Sequence, residues 1–147
     1  TRLGPLIIDA PADFVAEICR PLAWWLRDVT KNVGVEEESA YWEVWDRLIA
    51  VALEVVPVES YTDPVGTAIN APAGILVESI FDRFWARKPK VGEGLDDVLE
   101  ARLTNLATGQ SPSSAVCRVI LCSRLSPLFA IDPQWTKTNL LPRLRWG

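Results

Sequence analysis

Histidine and methionine are both absent from this sequence of 147 residues. Without histidine the chain lacks the commonest general base and the commonest metal ligand, and it cannot build a Ser-His or Cys-His nucleophile pair. Any catalysis would depend on carboxylates, lysines, tyrosines or thiols. Without methionine, we expect a chain that begins at Thr1 to start inside a longer protein, unless an initiator residue was removed. We therefore expect residues 1–147 to be a single domain taken from a longer protein.

Long apolar runs and an excess of positive charge are also lacking. No apolar segment approaches the roughly 18 residues that a membrane span needs, and no signal peptide opens the chain. The net charge is −4 and the isoelectric point is about 4.9, whereas nucleic-acid-binding domains usually carry a basic surface. We therefore expect a soluble, cytoplasmic protein that has neither a membrane nor a nucleic acid as a partner.

Cysteine is scarce, and the three residues present are Cys19, Cys117 and Cys122. An odd number of cysteines in apolar surroundings favours buried free thiols in a reducing compartment over disulfides. Because Cys117 and Cys122 are five residues apart, they would lie on different faces of a helix and could not share a metal. We predict no metal site, no cofactor and no catalytic residue.

Apolar residues recur at intervals of three and four along most of the chain, and no segment alternates with the period of a strand. The pattern predicts an all-α domain of about six to seven helices, with an interruption near Arg20 because Pro21 follows it. Asp9, Asn70, Ser111 and Asp132 are predicted helix caps, and residues 58–70 are predicted to be a connection. Gly4 and Pro5 predict a turn before the first helix. The predicted helical segments span residues 9–34, 35–57, 71–85, 93–109, 111–131 and 132–141. The fifth of them is apolar almost all round, which predicts a central position.

Three aromatic residues begin the second of these segments: Tyr41, Trp42 and Trp45. They continue into the aliphatic stripe of the same helix, so we interpret them as core residues that pack against Trp24 and Trp25 of the preceding helix. A ligand-binding aromatic surface is the alternative.

A faint internal repeat links three tetrapeptides. WDRL at 45–48 is echoed by FDRF at 81–84 and less well by CSRL at 122–125, with 36 and 41 residues between the arginines. Such spacing is close to that of helix-pair repeats of the HEAT kind. The sequence leaves open an irregular helical bundle and a short HEAT-like α-solenoid fragment.

Charged clusters give only weak signals of a site. Glu36, Glu37 and Glu38 suit the positive end of a helix dipole better than an active site, because adjacent helical residues point in different directions. Two basic clusters are interpreted as solvated helix ends, with anion contacts as the alternative. These clusters are Arg83, Arg87, Lys88 and Lys90, and Arg143 with Arg145.

Three stretches of the sequence carry a resemblance to a known family. The first is AWWLRDVTK followed by YWEVWDRL, and the second is TAINAPAGILVESIFD. The third is the pattern formed by Ile131, Asp132, Pro133, Trp135, Thr136, Leu140, Leu141, Pro142 and Trp146. Together they resemble the C-terminal helical region of large bacterial proteins in which a sirtuin-like, NAD-hydrolysing domain precedes a long helical region, a family associated with defence against phages.

The resemblance implies that the catalytic core lies outside this chain, which contains neither its glycine motif nor a histidine. The leading hypothesis is a non-catalytic scaffolding or sensing module that contacts the rest of its own longer chain or another protein, with oligomers allowed. It predicts that the chain releases no nicotinamide from NAD. The alternative is a small-ligand domain or enzyme with a tryptophan-lined pocket and an Asp/Arg pair. Its candidate pairs are Asp46 with Arg47 and Asp82 with Arg83, each of which would need partners from elsewhere in the fold.

Overall fold

The computed structural model describes residues 3–30, 37–58 and 63–144, and every regular element in these ranges is helical. They form ten α-helices, more than the six or seven predicted. The helices are α1 (Leu3–Asp9), α2 (Ala12–Glu17), α3 (Cys19–Thr30), α4 (Glu38–Glu54), α5 (Pro64–Asn70), α6 (Pro72–Ala86), α7 (Asp97–Thr108), α8 (Pro112–Ser123), α9 (Leu125–Ile131) and α10 (Pro133–Trp135). A π-helical turn (Thr136–Leu140) and a 3-10 turn (Leu141–Leu144) continue from α10.

The central helix is α6, which contacts α3, α4, α5 and α8. Twelve of its fifteen residues are buried, including Glu78 and Arg83. A helix that is apolar on nearly every side has to be enclosed by other helices to be stable in water. Helix α8 also lies centrally, as predicted for its segment, because it contacts α4, α5, α6, α7 and α9, although only half of its twelve residues are buried.

The N-terminal part of the chain is more helical than predicted. The residues taken as a turn, Gly4 and Pro5, lie in the first turn of α1, where proline costs little because its missing N–H would have no partner there. Asp9 ends α1 and is not a helix cap. The predicted interruption near Arg20 occurs at Ile18, so that Pro21 falls in the first turn of α3.

Two further predictions about helix boundaries are wrong. Within the predicted connection lies α5, whose N-cap Asp63 accepts a hydrogen bond from the backbone N–H of Gly66 at 2.5 Å. Asn70 ends α5 and donates to the carbonyl of Gly66, so it does not cap α6. The single helix predicted between residues 111 and 131 is two helices, α8 and α9, which meet at Arg124 with a bend of 72°.

The predicted caps at Ser111 and Asp132 are confirmed. The Ser111 hydroxyl accepts from the N–H of Ser114 at 3.1 Å. Asp132 accepts from the N–H of Trp135 at 2.9 Å with one carboxylate oxygen and from the N–H of Leu95 at 3.0 Å with the other. One side chain therefore both starts α10 and fixes the loop that leads into α7.

Replacing Asp132 by alanine is expected to lower the free energy of unfolding by about 2 kcal/mol, because two backbone N–H groups lose a charged acceptor. Urea unfolding of the purified protein measures this. Asp63→Ala is the matched control, since Asp63 caps one short exposed helix, and its expected cost is about 1 kcal/mol. Equal costs for the two variants would show that the bond to Leu95 contributes nothing.

No single helix in the described ranges is both long enough and apolar enough to cross a bilayer. Helices α8 and α9 meet those criteria only when taken together as a bent pair.

Candidate functional site

The aromatic residues at the start of α4 are buried, as the core interpretation predicts. Tyr41, Trp42 and Trp45 are between 2 and 8 % exposed, and their rings meet edge to face. The Trp45 indole donates to the carbonyl of Leu76 at 2.9 Å, which ties α4 to α6. The expected packing partner Trp24 is 43 % exposed, so that part of the prediction is wrong; Trp25 does pack at the edge of the core.

Three arginines and three carboxylates surround the Trp42 indole. Arg102 of α7 lies 4.3 Å from the centre of the Trp42 ring and binds both carboxylate oxygens of Asp46, at 2.7 and 2.8 Å. On the other side, Arg83 lies 4.3 Å from the Tyr41 ring and 3.6 Å from the carboxylate of Glu38. The predicted solvated helix end is therefore wrong for Arg83, which is 8 % exposed.

Glu38 is the carboxylate that joins this cluster together. It accepts hydrogen bonds from Arg87, which also lies 3.5 Å from Asp96. Partial burial raises the pKa of Glu38, but Arg87, the nearby Trp42 indole and Arg83 outweigh it and hold that pKa below its ordinary value. Glu38 is thus an ion-pair partner, and its lowered pKa keeps the carboxylate ionised at neutral pH. Glu37 precedes α4 and is exposed, and Glu36 lies outside the described residues.

A second ion-pair network involves two other residues of α6, Glu78 and Asp82. Arg27 donates to Asp82 at 2.8 Å, and Arg124 donates to the partly buried Glu78 at 2.8 Å. Arg27 also lies 3.7 Å from Glu78, so the network joins α3, α6 and the junction of α8 with α9. These contacts hold helices in register.

The candidate Asp/Arg pairs therefore do find partners from other helices, but they are divided between two places. Asp46 pairs with Arg102, and Asp82 pairs with Arg27. Arg47, the arginine next to Asp46 in the sequence, instead donates to the carbonyl of Ala10 at 2.7 Å. The two pairs do not build one common site.

A cavity of about 370 Å³ does lie beside Trp42, within the size range of small-ligand pockets. Its charged walls, Glu38, Arg87 and Asp96, are already paired with one another. A charged ligand would have to break these ion pairs before it could bind, which weighs against a small-ligand site here.

The cysteines are free thiols with little nucleophilic character. Burial raises the pKa of Cys19 to about 11 and that of Cys117 to about 12, and it also raises the pKa of the partly buried Cys122. Because the thiolate is the reactive form, thiols with such pKa values react slowly at neutral pH. In the described ranges no group of three or more His, Cys, Asp or Glu residues could hold a metal ion.

An apolar groove lies between α1, α3 and the start of α4, and we call it the α1–α3–α4 groove. Its volume is about 240 Å³. Helix α1 contributes Pro5 and Ile8, and the remaining lining comes from α3 and from the start of α4, chiefly Trp25, Val29, Ala40 and Val44. Sequence analysis missed this groove, because α1 was taken as a turn.

Carboxylates stand at the edge of this groove. Glu37 and Glu43 line it, both are exposed, and neither has an ion-pair partner among the described residues. The wider surroundings are acidic as well: residues 3–30 and 37–58 carry nine carboxylates and three arginines, whereas residues 63–144 carry eight carboxylates and nine lysines or arginines. Among the described residues, the excess of negative charge thus belongs to the part of the sequence that supplies the groove.

Residues that carried the resemblance have structural roles where the structure describes them. Pro72 opens α6, and Gly74 lets α6 approach the carbonyl of Ala68 in α5. Trp135 is 4 % exposed and its indole donates to the Thr104 hydroxyl at 2.9 Å. Trp146 and Arg145 lie outside the described residues.

Comparisons with protein-family models, with curated proteins and with solved structures find no match to this chain.

Proposed function

We propose that this chain is a non-catalytic helical module that binds another protein, or another part of its own longer chain, within a bacterial defence protein. The observation that carries the proposal is the apolar surface of its first helices. Leu3, Leu6, Ile8 and Phe14 are exposed on α1 and α2, and Leu6 is 68 % exposed. Four exposed large apolar side chains within twelve residues favour a surface that another protein covers. We call these four residues the α1–α2 surface.

The chemistry of the remaining side chains supports a binding role over a catalytic one. Two carboxylates that could act as acids or bases, Glu38 and Asp82, are held in ion pairs. The thiols are protonated at neutral pH because burial raises their pKa values. The tryptophans of α4 are core residues, which leaves the alternative of a tryptophan-lined ligand pocket with less support.

The contacts of α6 favour one of the two predicted architectures, a HEAT-like solenoid or an irregular bundle. In a HEAT-like solenoid each helix pair contacts only its neighbours in the stack. Here one helix, α6, contacts four others drawn from both halves of the chain. We therefore favour an irregular bundle, with the α1–α2 surface as its contact face.

The experiment is affinity capture from the source bacterium with the intact protein as bait. Leu6→Lys with Phe14→Lys places two charges on the α1–α2 surface. Val91→Lys is the matched control, because Val91 is 83 % exposed in a loop remote in sequence. We expect at least one partner protein to bind the parent and the Val91 variant but not the double variant. If the double variant retains every partner of the parent, the α1–α2 surface is not the contact face and the proposal fails.

A further inference from the structure

We propose that the α1–α3–α4 groove binds an amphipathic segment of a partner protein in which basic side chains flank an apolar face. This inference rests on the proposed function, since it names the partner chemistry of a module that is taken to bind protein. It concerns the groove itself, whereas the proposed function depends on the neighbouring α1–α2 surface.

The lining of the groove determines the kind of group that fits it. Ile8, Trp25, Val29 and Val44 offer apolar contact, and within the groove only carboxylates carry a full charge. The volume, about 240 Å³, is below the roughly 300 Å³ at which small-molecule pockets begin. A few aliphatic side chains projecting from one face of a helix or strand suit such a space, as in helix-in-groove recognition.

The charges at the edge determine what should flank those apolar side chains. Glu37 and Glu43 have no ion-pair partner among the described residues. Glu43 lies on the same helix as the apolar residues Ala40 and Val44, and Glu37 directly precedes that helix. Lysine or arginine on the flank of a docked segment would pair with them. The surrounding excess of carboxylates adds a long-range attraction that favours a basic partner and disfavours an acidic one.

The probe for the test is a labelled amphipathic peptide of about 16 residues, with leucines on one helical face and lysines on its flanks. Two control peptides separate the contributions: one has serine in place of leucine, and the other has glutamate in place of lysine. Binding is measured by fluorescence anisotropy at two salt concentrations. Methyl NMR shifts of Val29 and Val44 report whether the peptide occupies the groove.

Two protein variants test the groove directly, and each has a control on the same helix. Ala40→Trp fills the groove and should weaken binding by at least about tenfold, while Ala50→Trp, at another exposed position of α4, should not. Glu43→Lys should weaken binding roughly fivefold, while Glu54→Lys should have little effect. A higher salt concentration should also weaken binding of the lysine peptide to the parent protein, because salt screens exposed charges.

The inference is overturned if the glutamate or the serine peptide binds as well as the lysine peptide, if no peptide shifts the methyl signals, or if the Ala40 and Ala50 variants behave alike. It is also overturned if the protein sediments as a dimer that Ala40→Trp dissociates, since a second copy then fills the groove. Failure of these peptide experiments leaves the proposed function intact when the double variant of the α1–α2 surface still loses its partner. If the peptide experiments fail and the double variant also retains every partner, the proposed function is overturned as well.

Discussion

Replacing Trp45 by alanine is expected to lower the free energy of unfolding by on the order of 3–5 kcal/mol, the usual cost of truncating a large buried aromatic residue. Trp45 is 2 % exposed and lies between α4 and the central helix α6. The change would leave a cavity and remove the hydrogen bond to the Leu76 carbonyl, which keeps its bond from the Ser79 hydroxyl. Urea unfolding followed by circular dichroism measures the difference.

The matched control is Trp24→Ala, which removes the same side chain from an exposed position. Trp24 is 43 % exposed, and its ring has Arg27 at 5.6 Å as a cation–π partner. We expect a cost of about 1 kcal/mol or less, as for exposed cation–π contacts. A Trp45 variant that unfolds at the same urea concentration as the parent would contradict the core interpretation of α4.

Replacing Gly74 by alanine is expected to cost about 3 kcal/mol, at the upper end of the range for added bulk in a packed interior. A β-carbon at this position would lie 1.8 Å from the carbonyl oxygen of Ala68. The obstacle is backbone, so no side chain can rotate away, and α5 and α6 would have to separate. The effect runs against the ordinary preference of helices for alanine over glycine. Urea unfolding again measures it.

Gly4→Ala provides the comparison for this prediction, because Gly4 is also a buried glycine in a helix. Its added β-carbon would meet only a methyl group of Val44 at 3.3 Å, which can move slightly. We expect a change within about 1 kcal/mol, since better helix propensity offsets the crowding. If the two alanine variants were equally stable, the close approach of α5 and α6 would not be the reason for Gly74.

Local signals in the sequence were reliable for two of the four predicted caps, those that proline follows directly, and wrong for Asp9 and Asn70. Ser111–Pro112 and Asp132–Pro133 were read as a cap followed by proline, and each opens a helix. Asp63–Pro64 carries the same signal, but its short helix was taken as part of a connection. The error came from the density of turn-forming residues around it, which is also compatible with a helix of seven residues.

The groove illustrates what a single sequence does not provide. Its apolar residues come from three helices, and each residue alone is typical of a core position. Sequence periodicity shows that α4 has a wide apolar face, but not that α1 leaves part of that face uncovered. The same holds for the ion pairs: Asp46 and Arg102 are 56 residues apart, and only the tertiary structure brings their side chains together.

The sequence by itself determined that the chain is helical and that its α4 aromatics belong to the core, because apolar periodicity and capping act over a few neighbouring residues. It also excluded histidine chemistry, since that depends only on composition. Tertiary structure decided which helix is central, which charges pair and where the apolar surface stays open. Those features depend on contacts between residues distant in the chain, and local patterns carry no information about which helices meet.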